Sequence, residues 1–226
     1  MKLQLNINYK QTNYTNKEMQ LVADIFGAPC NNIDFNLKVN EDIDDKYKFI
    51  NFTGISGSGK TVIKNEIKKI LSSKREHILD FDDLDDFEEK YNESNILELF
   101  SIESASDEVL KILGGFGLFE MRILLSKIKL LSQGQRTRLK YIWLMFNLSD
   151  TDTTHILIDE FLTFVDELTA ISFSRNIVKY LKSKNIKLYT FGVNSALIGQ
   201  FEDVSYQLGS SCINAKIENG EITYKN

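Results

Sequence analysis

The eight residues "GISGSGKT" at positions 54–61 combine the groups that hold a polyphosphate. They fit the spacing G-x-x-x-x-G-K-[ST] and lie between an apolar stretch and an amphipathic one, which predicts a strand, a loop and a helix. Gly57 and Gly59 allow backbone N–H groups to point inward at phosphate oxygens, and the helix N-terminus adds partial positive charge. Lys60 would reach the β and γ phosphates, and the Thr61 hydroxyl would hold Mg²⁺. The other loop residues of this predicted site are Gly54, Ser56 and Ser58. The alternative is a flexible glycine turn before a helix.

Two adjacent carboxylates end the apolar stretch "HILIDE". We expect Asp159 to bind a metal ion through water, and Glu160 to orient or deprotonate the water that attacks a γ phosphate. The pair favours hydrolysis, because an aspartate alone would suffice to hold magnesium. These partner carboxylates are expected at the end of a strand next to that of the phosphate loop. The alternative is a strand that ends in a solvated turn.

A third polar turn opens the amphipathic stretch "LLSQGQRTRLKYIWLMF". Ser132 and Gln135 have the spacing of a capping box, in which each side chain bonds the other residue's backbone N–H. Gly134 leaves its own N–H uncovered by a side chain, so the turn offers a second anion site. One nucleotide does not need two such sites from one subunit. The sequence therefore predicts that this turn is free for a phosphate that another molecule presents.

The elements that must position these groups alternate along the chain. Residues before position 50 show period-two patterns, which predict antiparallel strands. Later apolar strands alternate with amphipathic helices, which predicts a parallel sheet covered on both faces. A helical segment is expected over about 84–146, and "NGEI" near the C-terminus predicts a hairpin. The predicted class is α/β with an N-terminal antiparallel part.

Composition limits the function classes. The chain has 226 residues, 42% hydrophobic residues and a net charge of −5, which argues against a surface coated with basic groups for nucleic acid. Its cysteines, Cys30 and Cys212, have no CxxC spacing, so a disulfide framework or zinc site has little support. No run of about 18 apolar residues occurs. We therefore expect one soluble, cytoplasmic domain over residues 1–226.

In combination and order these motifs resemble those of the ATP-binding cassette (ABC) ATPases, whose signature LSGGQ stands here as "LSQGQ". The resemblance implies a P-loop NTPase fold, ATP and Mg²⁺ as ligands, and an ATP-dependent head-to-tail homodimer. In such a dimer, Ser132, Gly134 and Gln135 of one subunit would close over the γ phosphate held by the other. Asp166 in "FLTFVDELTA" matches the aspartate of the D-loop, which crosses the dimer interface in the family. "NGEI" resembles the family's C-terminal hairpin.

Two positions depart from the family pattern. The usual glutamine that senses magnesium and couples to a transporter is absent between Thr61 and Ser132. One of the carboxylates in "HILDFDD" would replace it, or that acidic run is only a solvated strand end, which we favour. Asn194 takes the place of the switch histidine, and an amide can bond a γ phosphate but cannot carry a proton near neutral pH. We therefore expect slow hydrolysis in which Glu160 keeps the larger role.

Several functions fit these motifs. The first is a slow ATPase whose closure drives or gates a nucleic-acid or protein complex; the others are a switch with little hydrolysis and a transporter's nucleotide-binding subunit. A narrower resemblance is to soluble ABC ATPases fused to GNAT-type acetyltransferases, of which only the ATPase half would be present. Phe26 and Tyr14 are candidates for stacking on adenine. The lysine-rich helix faces either contact phosphate backbones or are simply solvated, and we favour the second.

Overall fold

The structure is a computed structural model that describes residues 1–10, 17–25, 34–100, 107–146, 154–182, 184–192, 204–208, 215–218 and 221–224. It divides into two compact units, Met1–Asp44 and Asp45–Asn226. That residues 1–226 form one domain stays a prediction.

The first unit is built on a long antiparallel pair. Strands β1 (Lys2–Lys10) and β2 (Asp34–Asp42) run in register from Lys2 opposite Asp42 to Lys10 opposite Asp34. Helix α1 (Lys17–Ile25) lies between them in the chain. Leu3, Leu37 and Val39 are buried, as the period-two pattern predicts for a ribbon with one apolar face.

The second unit contains a seven-stranded sheet in the order β4-β5-β6-β3-β7-β8-β9. The strands are β3 (Phe49–Gly54), β4 (His77–Asp80), β5 (Thr154–Ile158), β6 (Ile186–Gly192), β7 (Val204–Leu208), β8 (Ala215–Glu218) and β9 (Glu221–Tyr224). The first five strands of the order are parallel, and β8 and β9 pair antiparallel. All five residues of β5 are buried, so both faces of that strand are covered.

Two helices connect parallel strands of this sheet. Helix α2 (Lys60–Ser73) buries Ile63, Ile67 and Leu71, which recur at helical spacing, and it contacts β3, β6 and β4. Helix α8 (Glu167–Leu181) follows β5 and buries Phe173 among its core residues. The strand and helix alternation predicted from the sequence is therefore confirmed.

A helical part lies between β4 and β5 in the chain. Its helices are α3 (Phe87–Tyr91), α4 (Ile96–Leu99), α5 (Asp107–Gly115), α6 (Met121–Leu125) and α7 (Gln133–Phe146). Single 3-10 turns occur at Phe81–Leu84 and Ile128–Leu130. One continuous apolar cluster joins these helices to β5, β6 and α8, so the helical part packs on the sheet through a shared core.

The expected α/β class, parallel core sheet, N-terminal antiparallel part and helical insertion are confirmed. Strands β8 and β9 pair from Ala215 opposite Tyr224 to Glu218 opposite Glu221, which is the register of a two-residue hairpin. The turn residues themselves lie outside the described residues. Strand β7 was not anticipated from the sequence, although it pairs with the strand that precedes the phosphate loop.

Candidate functional site

The phosphate loop leaves β3 and enters α2 as its spacing predicts. Gly57 and Gly59 have φ angles of 78° and 95°, in the left-handed region that favours glycine. Gly59 is the N-cap of α2 and has no side chain to occupy that helix end. A short turn, in which Ser58 N–H donates to the Ile55 carbonyl at 3.2 Å, closes the loop. The backbone therefore curls in front of a helix N-terminus, the arrangement that binds anions.

Lys60 lies in the mouth of this loop. Its ammonium group donates to the carbonyl oxygens of Gly54 at 2.7 Å and Ile55 at 2.8 Å. Partial burial lowers the pKa of Lys60 from its usual value, although the charges of Asp159 and Glu160 oppose that shift. The ammonium thus lies within the electrostatic field of both carboxylates.

The predicted metal ligands meet although they are 98 residues apart in the chain. The Thr61 hydroxyl donates to Asp159 Oδ2 at 2.7 Å, and the other oxygen of Asp159 accepts the Glu160 N–H at 2.9 Å. One detail of the prediction is wrong: β5 is not the neighbour of β3, because β6 lies between them. Since α2 contacts β3, β6 and β4, it crosses the sheet and brings Thr61 to the end of β5.

The turn after the carboxylates has an unusual backbone. Glu160 and Leu162 have φ angles of 48° and 56°, a left-handed conformation that costs non-glycine residues about 1–2 kcal/mol each. Thr163 holds the turn by donating its N–H and its hydroxyl to the Glu160 carbonyl, at 3.1 and 2.8 Å. Phe161 N–H donates to the Phe191 carbonyl at the end of β6, at 3.0 Å. The exposed Glu160 side chain is therefore carried on a constrained backbone.

The signature turn, residues 131–135, leads into helix α7, the signature helix. It forms the capping box that its spacing predicts. Ser132 N–H donates to Gln135 Oε1 at 2.9 Å, and Gln135 N–H donates to Ser132 Oγ at 3.2 Å. The side chain of Ser132 is exposed. A Cβ atom at Gly134 would lie 2.9 Å from the carbonyl oxygen of Phe164. Gly134 therefore also has a packing role that the sequence did not reveal.

Arg138 joins helix α7 to the residues that follow α5, and its charge interacts with that of Asp166. Arg138 donates to the carbonyls of Gly134 at 3.2 Å and Phe116 at 3.0 Å, and burial lowers its pKa while the charge of Asp166 acts to raise it. Asp166 caps α8 by accepting the Thr169 N–H at 2.9 Å, and this bond lowers the pKa of Asp166. Arg138 was missed from the sequence, where an arginine six residues after Ser132 was the only signal.

The acidic run after β4 is not simply a solvated strand end, so that preferred interpretation is wrong for Asp80. Asp80 is buried and accepts from Lys68 at 2.7 Å, from Lys64 at 3.4 Å and from Asp82 N–H at 3.2 Å. Burial alone would raise its pKa, but these hydrogen bonds and the charge of Lys64 lower it. Lys64 is itself buried and also pairs with Asp82, so it is not available to contact nucleic acid. Exposed Asp83 pairs with Lys68 at 3.3 Å.

Several predicted residues lie outside the described residues. These are Asn194, Tyr14, Phe26, Cys30 and Cys212. Their predicted roles stay predictions. Within the described ranges, no cluster of three or more histidine, cysteine or acidic side chains could hold a metal ion by itself.

No protein-family model matches the sequence, and no curated protein matches it. Among solved structures, the chain is similar to MJ0796, a bacterial ABC transporter cassette solved as a dimer. The TM-score is 0.57 and the identity 15%, over 97% of this chain and 99% of that one. It is similar to cbiO1 from Clostridium perfringens, part of the ABC transporter complex cbiONQ, with a TM-score of 0.52 and 14% identity over 98% of this chain and 86% of that one.

A third similar structure comes from a complex with a ribosomal protein. The archaeal ribosome recycling factor aABCE1, solved in complex with the ribosomal stalk protein aP1, gives a TM-score of 0.55 and 13% identity over 79% of this chain and 39% of that one. The chain therefore has the P-loop NTPase fold of the ABC-type ATP-binding cassettes. Fold alone does not assign a function, which has to be argued from the site.

No helix in the described ranges is both long enough and apolar enough to cross a bilayer.

Proposed function

We propose that this chain binds Mg-ATP in the Gly54–Thr61 loop, closes as a head-to-tail homodimer, and hydrolyses ATP slowly. The observation that carries the proposal is the 2.7 Å hydrogen bond between the Thr61 hydroxyl and Asp159 Oδ2. A phosphate loop and a strand-end carboxylate from a distant part of the chain meet there. That is the constellation required to hold a metal beside phosphates.

The loop supplies the groups that a triphosphate needs. Gly57 and Gly59 open the backbone, the N-terminus of α2 faces the loop, and Lys60 places an ammonium beside the carbonyls of Gly54 and Ile55. The proposed role of Lys60 is to exchange those carbonyl contacts for the β and γ phosphates. Ser56 and Ser58 complete the loop, whose N–H groups are proposed to bind phosphate oxygens.

The residues present fit Mg²⁺. The Thr61 hydroxyl donates its proton to Asp159 Oδ2 at 2.7 Å, which leaves its oxygen lone pairs for the ion, and the Asp159 carboxylate can accept from a metal-bound water. Thr61 and Asp159, the second through water, are the proposed protein ligands. When bound, the ion would neutralise charge on the β and γ phosphates.

Glu160 is the proposed residue that orients or deprotonates the attacking water. Its carboxylate is exposed at the end of β5, next to the metal-binding aspartate, and its backbone is fixed by bonds to Asp159, Thr163 and the end of β6. Asn194 is proposed to bond the γ phosphate without carrying a proton. Hydrolysis is expected to be slow because no switch histidine assists Glu160.

The dimer proposal rests on the signature turn. Ser132 is exposed and caps the helix by accepting the Gln135 N–H, while Gln135 Oε1 accepts the Ser132 N–H, so the turn is preformed. Ser132, Gly134 and Gln135 are proposed to contact the γ phosphate in the partner subunit, with Asp166 at the interface. Three exposed apolar residues lie beside these motifs and would become buried on closure: Ile55, Phe164 and Leu168. MJ0796, of the same fold, was solved as a dimer.

Closure is proposed to drive or gate a nucleic-acid or protein complex in the cytoplasm. A second candidate is the nucleotide-binding subunit of a transporter, since MJ0796 and cbiO1 are named for transporters. Against it, no glutamine occurs between Thr61 and Ser132, where the family's coupling glutamine is expected. The narrower likeness to ATPases fused to GNAT-type acetyltransferases stays a prediction.

The direct test is Mg-ATP hydrolysis by the wild type and by the Glu160→Gln variant. We expect a slow wild-type rate that falls at least tenfold in the variant, with ATP affinity retained. Glu66→Gln, a change on the outer part of α2, is the control and should leave the rate unchanged. Equal rates in wild type and Glu160→Gln would refute the assignment of Glu160. Absence of ATP binding would refute the proposed function as a whole.

A further inference from the structure

The side chain of Tyr141 lies on the signature helix and reaches the turn that carries Glu160. Its hydroxyl accepts the N–H of Leu162 at 3.3 Å. Leu162 is 1% exposed and has a left-handed backbone, so its N–H has no access to water. A buried N–H that loses its partner is costly, and the hydroxyl therefore constrains this turn.

Three other N–H groups of this segment find their partners on a strand or within the turn itself. Phe161 N–H reaches the end of β6, Thr163 N–H returns to Glu160, and Val165 N–H returns to Leu162 at 3.2 Å. Leu162 instead depends on a side chain that is 21 residues earlier in the chain. The signature helix therefore fixes this turn through a side-chain hydrogen bond.

The same helix touches the turn at a second point. Gly134 approaches the Phe164 carbonyl so closely that a Cβ atom would lie 2.9 Å from it. Residues seven apart lie on nearly the same face of a helix, so Gly134 and Tyr141 present one face to the segment 160–164. A displacement of the signature turn along α7 would therefore be passed to the backbone around Glu160.

The ring of Tyr141 is held from several sides. Its centroid lies 4.6 Å from that of Phe81, which follows β4, and 5.5 Å from those of Phe161 and Phe173. The ring is buried with 1% exposure. Burial raises the pKa of Tyr141, so the hydroxyl stays protonated at neutral pH. The hydroxyl is thus a neutral group in a fixed position.

From these contacts we infer that Tyr141 is a positioning residue for Glu160. Tyr141 thereby couples the signature helix to the turn at residues 160–164 of the same subunit. The inference rests on the proposed function. In a head-to-tail dimer, the signature turn would contact one nucleotide while Glu160 of the same chain acts on the other. Tyr141 would then connect the two nucleotide sites.

The test is Tyr141→Phe, which removes the hydroxyl and keeps the ring. Tyr189→Phe is a matched control, because Tyr189 is 2% exposed and its hydroxyl lies 3.3 Å from His155 Nδ1 within β6 and β5. We expect Tyr141→Phe to lower kcat for ATP about tenfold while KM changes less than about twofold. Tyr189→Phe should lower thermal stability by a similar amount and leave kcat within about twofold of wild type.

A second measurement separates positioning from a general loss of structure. If Tyr141 acts through Glu160, adding Tyr141→Phe to Glu160→Gln should not lower the residual rate further. An additive fall, or equal kcat losses in the two tyrosine variants, would overturn the inference and leave the proposed function intact. A wild-type protein whose hydrolysis does not depend on Glu160 would overturn this inference together with the assignment of Glu160, whereas absence of ATP binding would overturn the proposed function.

Discussion

The phosphate loop and the signature turn each form an opening at a helix N-terminus, meaning a turn whose backbone N–H groups could bind an anion. Different residues fix the backbone of the two turns. The loop at 54–61 is shaped by left-handed glycines and contains its own cation, Lys60. The signature turn is shaped by side chains, because Ser132 and Gln135 cap each other. The carboxylates Asp159 and Glu160 lie beside the first opening, and their charges act on Lys60.

This difference indicates what each opening can bind. The loop has a cation and backbone donors, and the proposed metal ligands Thr61 and Asp159 belong to the same chain, so we expect one subunit to bind a nucleotide alone. The signature turn has donors and a helix end only, which is too little for a triphosphate but enough for one phosphate edge presented by another molecule. A complete site therefore requires one opening of each kind, and in the proposed dimer these come from different subunits.

The largest expected effect comes from Lys60→Ala. Loss of the ammonium should weaken Mg-ATP binding at least a hundredfold, because no other cation lies in the loop. Lys69→Ala is the control, since Lys69 is 76% exposed on the same helix and pairs with Glu66. Titration calorimetry compares the two affinities. An unchanged affinity in Lys60→Ala would show that the loop at 54–61 is not the nucleotide site.

Ser132→Arg should disrupt the signature turn and leave the phosphate loop intact. We expect ATP affinity of the monomer within about twofold of wild type and a hydrolysis rate at least tenfold lower, because a bulky cation blocks a preformed turn. Ser132→Ala loses the cap, at about 1 kcal/mol, and the proposed hydroxyl contact to phosphate, but it adds no bulk and should have a smaller effect on the rate. Ser73→Arg, at the far end of α2, should have none.

Mixing these two variants sharpens the comparison. A Lys60→Ala chain keeps its signature turn, and a Ser132→Arg chain keeps its phosphate loop. The mixed dimer should therefore contain one intact composite site, and the mixture should hydrolyse ATP faster than the sum of the separate proteins. A rate equal to that sum would argue that both openings act within one subunit.

A smaller effect is expected from Gly134→Ala. The new Cβ would lie 2.9 Å from the Phe164 carbonyl, so either the helix or the turn must shift, and kcat should fall about three- to tenfold with ATP affinity retained. Gly114→Ala is the control, because its Cβ would meet Phe119 only at 3.8 Å and alanine favours the helix. Equal rates in the two variants would remove the packing role of Gly134.

The smallest effect on nucleotide binding is expected from Asp80→Asn, which acts on stability. At pH 7 the variant should be less stable by about 2–4 kcal/mol, because it leaves Lys64 buried with one fewer carboxylate. The folded-state pKa of Asp80 is lowered, so its contribution is complete above its usual pKa of 3.8 and is lost as the pH falls through the folded value. Urea unfolding should show that the difference in free energy of unfolding between the wild type and Asp80→Asn becomes smaller below about pH 4. Asp83→Asn, an exposed partner of Lys68, should cost less than about 1 kcal/mol.

Sequence patterns anticipated the elements whose causes are local. The glycines of the phosphate loop, the capping box at Ser132 and the buried strand before Asp159 each depend on residues within a few positions. Their types and order were enough to predict the α/β fold. The meeting of Thr61 and Asp159 followed from that order, although the intervening strand β6 did not.

The remaining features depend on contacts between distant parts of the chain. Lys64 resembles any lysine on an exposed helix until β4 places Asp80 beside it. Tyr141 occupies an apolar position of α7, and only the fold shows that its hydroxyl meets Leu162. Gly134 was predicted as an open donor, while its close approach to Phe164 depends on the path of the turn after β5. Sequence periodicity contains none of these pairings.

The central claim is that the signature turn contacts a phosphate held by a second copy of the chain. Light scattering of Glu160→Gln, with and without Mg-ATP, tests it most directly, because the variant should bind ATP without consuming it. We expect the solution mass to double on adding Mg-ATP, and not to double when Ser132→Arg is combined with Glu160→Gln. A mass that stays monomeric with bound ATP, or a dimer that forms equally well with Ser132→Arg, would contradict it.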